Sequence, residues 1–270
     1  MSEDIKRQSI ENICASLSYA MGIDVCKCAE APSDLLCRYI DEVFGREKSD
    51  RVFMFNPDAI AEWIYKKYPE LFKEVEMRCE LHLPLNAVMP SVTPVCFGTM
   101  YTGASPDVHG IKAYVKPVIT IDTLFDALIR AGKRAAIVAD SASSLAKIYL
   151  ERDMDYFVYD TVEEVNAKAA ELILRDEHDL IVVYNKNYDS TMHRVGPEGI
   201  EALAEIKANS RTFGMFSDMI AKHWKDHNTL VGFAMDHGCH EIDGGAGSHG
   251  LDMEEDMHIV HLYKAYKAEK

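Results

Sequence analysis

The chain has 270 residues, 48% hydrophobic and 27% charged, with a formal net charge of −15. That length suits one large α/β domain or two small ones, with enough apolar residues for a sizeable core. So negative a surface argues against binding nucleic-acid polymers or anionic membranes, and a small anionic substrate then needs local positive charge such as metal ions. No apolar run reaches the ~18 residues of a membrane span. The N-terminal MSEDIKRQSIE is polar and does not read as a signal peptide. Seven cysteines, an odd number, point to reduced thiols in a cytoplasm. Cys26 and Cys28 form a C-x-C which, with no second pair, reads as ordinary free thiols rather than a metal site.

Residues 1–50 read as a helical extension. Ile5, Ile10, Ile13 and Leu17 fall near helical spacing, and Pro32-Ser33-Asp34 opens a second helix that Gly45 ends. The main domain is expected over 51–270. It begins with a strand over 51–55, then Asn56-Pro57-Asp58 and an amphipathic helix over 59–72. Asp58 therefore lies between a strand and a helix, either as a helix cap or on the sheet edge where ligands bind.

The stretch 89–111, MPSVTPVCFGTMYTGASPDVHGI, holds three prolines and three glycines. It reads as a strand end, a turn at Ser91-Val92-Thr93, a short helix with Pro94 at its first position, and a stop at Gly103. Thr93 is then expected at the N-cap. A hydroxyl there serves as a cap, or faces an anionic ligand at the positive helix end as a nucleophile.

Further on, 117–120 reads as a short extended piece and 121–131 as a helix. A strand over 134–139 ends at Asp140, and a helix follows over 141–150. A strand over 155–159 precedes a helix over 161–175 opened by a Thr161/Glu164 capping box. Strands are expected at 179–184 and 229–235, separated by a long helix over 198–222 interrupted near Gly214. This alternation indicates a three-layer α/β/α fold with a mostly parallel central sheet.

In such a sheet the strand ends share one edge. Asp58, the Asp189-x-x-x-His193 pair, adjacent Asp236 and His237, and the Gly-rich loop carrying His249 therefore converge. Carboxylate and neutral imidazole suit divalent ions. Three Asp and three His suffice for two metals, with a hydroxyl completing one site, and the pair would leave a pocket positive enough for a phosphoryl group. Each piece alone is more often structural; their joint placement is what points to a site.

The combination resembles the alkaline phosphatase superfamily, and most closely its type I phosphodiesterase/nucleotide pyrophosphatase branch. It is carried by Asp58, Pro90-Ser91-Val92-Thr93, T-G-x-x-P-x-x-H-G-I over 102–111, D-x-x-x-H-x-x-G-P over 189–197, Asp236-His237-Gly238 and His249-Gly250, and spans roughly 51–260. The resemblance implies an alkaline-phosphatase-like fold and two divalent metals, usually zinc and in some relatives manganese. Asp189, His193 and His249 would hold one. Asp58, Asp236 and His237 would hold the other, with Thr93 completing that site as the nucleophile that becomes a phosphothreonine. His109 matches a structural position.

The implied activity is hydrolysis of small phosphate esters, diesters or pyrophosphates ahead of monoesters. Phosphomonoesterase, phosphonate hydrolase, phosphomutase and metal-binding pseudoenzyme are the alternatives. The chain departs from the family at Cys96, where an amide-bearing Asn usually binds the phosphoryl oxygen; a main-chain group near Val95 is one replacement. Little room is left between Ile111 and Asp189 for the large cap domain of the mutases. Cys96-Phe97-Gly98-Thr99 does not fit the sulfatase pattern.

Overall fold

The structure, a computed structural model, describes residues 7–269. Strand β1 (Gln8–Ser9) and helices α1 (Asn12–Met21) and α2 (Asp34–Phe44) precede β2 (Arg51–Pro57). Helix α3 (Glu62–Lys67), a 3-10 turn (Pro69–Phe72) and α4 (Lys73–Glu76) lead to β3 (Leu81–Asn86). Then come α5 (Thr93–Thr102), α6 (Pro106–His109), α7 (Leu124–Arg130), β4 (Ala135–Asp140), α8 (Leu145–Ile148) and β5 (Asp155–Tyr159). Helix α9 (Val162–Arg175), β6 (Leu180–Asn185), α10 (Asn187–Val195), α11 (Ile200–His223) and β7 (Thr229–Ala234) follow. The short strands β8 (His240–Ile242) and β9 (Ala246–Ser248), α12 (Glu254–Met257) and β10 (His258–Tyr266) complete the chain.

Eight strands form one sheet in the order β1-β3-β10-β7-β2-β6-β4-β5. All neighbours run parallel except β10, antiparallel to both β3 and β7. Seven strands, β1, β3, β7, β2, β6, β4 and β5, thus point their C-terminal ends at one edge. Strands β2, β4, β6 and β7 are buried almost throughout, as a sheet covered on both faces requires. On one face Phe213 and Phe216 of α11 pack on Phe53, Phe55 and Phe233, with ring centroids 5.3–6.2 Å apart. On the other, every residue of α5 is buried, with α1, α7 and α8 against it. Tyr149 donates to the Phe97 carbonyl (2.6 Å), and Tyr101 to Asn56 Oδ1 (2.7 Å), whose amide reaches Ala234 O (2.7 Å). Helix α5 is therefore locked to the ends of β2 and β7, which positions its first residue.

Several local expectations change. The helix over 59–72 breaks at Tyr68, because Pro69 lacks the donor that would continue it. Helix α11 runs unbroken past Gly214, whose missing side chain makes room for Glu74 and Arg78: an added Cβ would stand 3.1 Å from both. The pieces at 121–131 and 141–150 shorten to α7 and α8. Strand β10, which drew no strand reading, lies inside the sheet. Among the described residues no helix is long and apolar enough to cross a membrane.

Candidate metal centre and active site

The site lies on the C-terminal edge of β7, β2 and β6, three neighbouring strands. Asp58 directly follows β2. Its N–H donates to Asn185 O at the end of β6 (3.0 Å), and Ala59, in the left-handed region at φ 60°, donates its N–H to Asp236 Oδ1 (3.1 Å). Asp236 and His237 follow β7. His237 Nδ1 lies 2.9 Å from Gly238 O. A carbonyl only accepts, so Nδ1 carries the proton and Nε2 presents a lone pair. That Nε2 stands 3.4 Å from Asp58 Oδ1, 3.4 Å from Asp236 Oδ2 and 3.3 Å from the Thr93 hydroxyl. Gly238 fits here for a reason other than backbone freedom: an added Cβ would collide with the Glu255 carbonyl.

The second group forms beside it. Asp189 and His193 sit one turn apart on α10, and His249 follows β9. His193 Nδ1 donates to Gly247 O (2.9 Å) and His249 Nδ1 to Ser91 O (3.1 Å). Their Nε2 atoms face Asp189 Oδ1 at 3.2 and 3.3 Å, and each other at 3.2 Å. The His237 and His249 rings, 4.2 Å apart between centroids, bring the two groups side by side.

Around Asp58, Asp236 and His237 acceptors face acceptors, whereas the imidazoles of His193 and His249 meet the Asp189 carboxylate only by taking up a second proton. Asp189 Oδ1 and Asp236 Oδ2 are buried without a hydrogen-bond partner among the described residues. Only protons or cations can fill such gaps. Ligand atoms of Asp189, His193 and His249 lie within 4.8 Å of one another, as do those of Asp58, Asp236 and His237. Each donor set, imidazole plus carboxylate, suits a divalent ion, and the imidazoles are already oriented by carbonyls as metal-binding histidines are.

Electrostatics carry the same mark. Burial, then the charge of Asp236, raises the Asp58 carboxyl well above its usual range. Burial pushes Asp236 up to about 8 and His237 down to about 3. Burial also works against ionised Asp189, but the imidazoles of His193 and His249 beside it outweigh it and hold it low. The adjacent Asp189 carboxylate raises His193 to about 9.

Thr93 is the first residue of α5 rather than its cap. Val92 takes the extended N-cap conformation, because both Val95 and Cys96 donate to Val92 O at 3.0 Å. The Thr93 hydroxyl makes no capping bond and instead sits 3.4 Å from each Asp58 oxygen. Cys96 is turned away toward Val88 O (3.8 Å), and the Val95 N–H is spent inside the helix. His109 Nε2 meets Thr99 Oγ1 (3.0 Å) and its Nδ1 accepts from the Ile111 N–H (3.2 Å), under Gly98, so it fastens α6 to α5.

Four supporting residues escaped the sequence reading. Tyr184 donates to Asp58 Oδ2; it is the penultimate residue of β6, opposite Asn56, a register that strand pairing alone reveals. Buried Asp256 accepts from the Leu251 N–H (2.8 Å) and pairs with His240 Nδ1 (2.7 Å), holding the loop behind His249. Lys186 pairs with Asp140 at 2.6 Å on the same edge.

The model of the family described as type I phosphodiesterase / nucleotide pyrophosphatase matches residues 120–267, more than half of the chain. The chain belongs to this family. No curated protein matches it significantly by sequence. Among solved structures, human ectonucleotide pyrophosphatase/phosphodiesterase 5 aligns with a TM-score of 0.59 at 18% identity, over 72% of this chain and 58% of that one. The murine protein, in an inactive form in complex with AMP, gives 0.57 at 21% over 72% and 59%. Phosphonoacetate hydrolase from Sinorhizobium meliloti, in complex with phosphonoformate, gives 0.54 at 17% over 71% and 57%. The chain thus spans under two thirds of these structures. The shared fold is that of the alkaline phosphatase superfamily, and the phosphodiesterase family is one of metal-dependent hydrolases.

Proposed function

We propose that the chain is a two-metal hydrolase of small phosphate esters, diesters and pyrophosphates ahead of monoesters, acting through a phosphothreonine at Thr93. The observation that carries this reading is the Thr93 hydroxyl, uncapped at the start of a buried helix, 3.3 Å from His237 Nε2 and 3.4 Å from both Asp58 oxygens. Asp189, His193 and His249 would hold one divalent ion, and Asp58, Asp236 and His237 the other beside Thr93, as zinc or manganese. Bound there, the ions supply the positive charge that lowers the hydroxyl pKa and offsets the phosphoryl and leaving-group charge.

The chain's own residues do the rest. The positive end of α5 favours Thr93 as alkoxide. Its oxygen displaces the leaving alcohol, or the leaving phosphate of a pyrophosphate, in line at phosphorus; water then breaks the new P–O bond, releasing phosphate from a monoester or the remaining phosphate monoester from a diester, and restores the hydroxyl. With the Val95 and Cys96 N–H groups engaged, the main-chain donor left for a phosphoryl oxygen is the N–H of Thr93 itself. Site residues all fall in 51–270, read as the catalytic domain with 1–50 as an extension packed on it. The seven free cysteines support a cytoplasmic location.

Nitrophenyl mono- and diesters and nucleotide esters test the reading, the last because the murine relative was crystallised with AMP. Thr93→Ala is expected to abolish turnover while metal stays bound, and acid-quenched wild type to carry phosphate on Thr93. Unchanged turnover would move the nucleophile, with Ser91, whose hydroxyl meets Leu251 O at 3.3 Å, the next residue to replace. Phosphonate hydrolysis is the second reading, supported by the fold shared with phosphonoacetate hydrolase. Release of phosphate from a phosphonate but from no ester would select it.

A further inference from the structure

The C-x-C pair is not used by the metal centre, and the structure gives it a third member. Cys26 Sγ lies 3.3 Å from Cys14 Sγ, both buried and both free thiols. Cys14 is on α1. Cys26 is on the segment between α1 and α2, where its neighbours Val25, Lys27 and Cys28 face solvent. The segment is tethered around the thiols: the Lys27 N–H reaches Asp122 Oδ2 (3.2 Å), that of Ala29 reaches Cys26 O (3.1 Å), and that of Glu30 reaches Gly103 O (2.8 Å). The two sulfurs are thus held in contact by bonds from the residues that directly follow Cys26.

We propose that Cys14 and Cys26 are a disulfide-forming site, with exposed Cys28 as the thiol through which oxidation enters. The sulfurs are already within van der Waals reach, so a covalent bond of about 2.05 Å needs them to close by little more than an ångström. Neither buried thiol is open to a bulky oxidant, while Cys28, two residues from Cys26, is. The bond to Cys26, then burial, raises the Cys14 thiol well above its ordinary range, so it gives up its proton only as the new S–S bond forms.

The oxidant is a low-molecular-weight disulfide such as oxidised glutathione. Cys28 thiolate attacks it and releases one small thiol. Cys26 attacks the Cys28 sulfur of this mixed disulfide and releases the second. Cys14 attacks the Cys26 sulfur, forming the buried bond and returning Cys28 as thiol. In sum two protein thiols give up two electrons and two protons, and one small disulfide becomes two thiols. The bond would fasten the segment to α1 where both meet the end of α5: a Cβ added at Gly103 would stand 2.6 Å from Ala29 Cβ and 3.0 Å from Cys14 Cβ. None of this depends on the reading of the metal site.

The test uses the full chain, metal-loaded and reduced, incubated with oxidised glutathione. Expected are a mass lower by two hydrogens, a peptide pair linking Cys14 to Cys26, and a thermal midpoint several degrees above the reduced form. Cys28→Ser, a substitution at an exposed position, is expected to slow the bond's formation at least ~10-fold while leaving its identity unchanged. A Cys26–Cys28 bond, stable glutathionylation of Cys28 with Cys14 still free, or no reaction would overturn the proposal. A Cys28→Ser rate equal to wild type would overturn the entry role.

Discussion

Gly247 offers the sharpest test of how the metal centre is built, because it touches no substrate. An alanine Cβ there would stand 2.5 Å from Met192 Sδ and 2.7 Å from the Met192 carbonyl oxygen. The thioether can swing aside; the carbonyl belongs to α10 and cannot. Relief requires the β8–β9 hairpin to recede by roughly 0.5 Å, at an overpacking cost on the order of 1–3 kcal/mol. That movement stretches the His193 Nδ1 to Gly247 O bond from its 2.9 Å to roughly 3.4 Å, beyond useful N–H···O geometry. His193 then loses the partner that fixes its tautomer, a loss that typically costs ~10–100-fold in metal affinity, or about 1.4–2.8 kcal/mol. The effect belongs to one ion only, since His237 is anchored separately on Gly238 O. Titration of Gly247→Ala with zinc against a competing chelator should resolve one class of ion weakened by that factor and one unchanged. Two classes at wild-type affinity, or equal loss of both in a folded variant, would refute the reasoning.

The supporting residues and the protonation pattern yield further expectations. Tyr184→Phe removes the donor to Asp58 Oδ2, and kcat/KM for a nitrophenyl diester should fall by about tenfold or more, with the fold intact by circular dichroism. Metal-free protein should lose stability as pH rises from 6 to 9. Folded Asp236 keeps its proton to about 8 and His193 to about 9, whereas the unfolded chain releases them near the ordinary values of 3.8 and 6.5. The native state therefore binds the extra protons, and their stabilisation fades through that window. Urea midpoints in chelator should show the fall and metal-loaded protein should not, because cations replace those protons. Cys96→Asn should lower the unfolding midpoint by overpacking a buried position and raise diester turnover if an amide there reaches the phosphoryl oxygen; a fall in both measures would mean that position 96 does not face the substrate.

What was legible in the chain followed from burial pattern and strand ends. The apolar runs at β2, β6 and β7 stand out because a sheet covered on both faces tolerates little polarity, and their ends bring Asp58, Asp189, Asp236 and His237 together by topology alone. His249, on the Gly-rich loop that follows the last of these strand ends, was read into the same cluster. Strand β10 was missed because His258, His261 and Lys264 interrupt its apolar character; the structure shows that His261 is satisfied internally, by Met235 O at 2.7 Å and the Tyr263 hydroxyl at 3.0 Å. Tyr184, Asp256 and Gly247 were illegible for a different reason. They act through contacts across 126, 16 and 54 residues of sequence, and register, not local composition, decides such contacts.

The energetic oddity of the site argues for its purpose. Asp58 and Asp236 are both buried in a chain of net charge −15, and burial raises both carboxyls. Within the group no side chain is cationic, since His237, between them, is pushed toward its neutral form, and the charge of His249 only partly offsets Asp58. Buried ionised groups without partners are a net cost to folding. The fold nevertheless fixes all three, through Tyr184 on Asp58, the Ala59 N–H on Asp236 and Gly238 O on His237. Each of these partners orients a ligand atom and leaves another free: Asp58 Oδ1 and His237 Nε2 face Thr93 Oγ1 at 3.4 and 3.3 Å, and Asp236 Oδ2 faces His237 Nε2 at 3.4 Å. A packing role would have favoured apolar residues at the ends of β2 and β7. A cluster of oriented acceptors around one hydroxyl is what a cation beside a nucleophile requires.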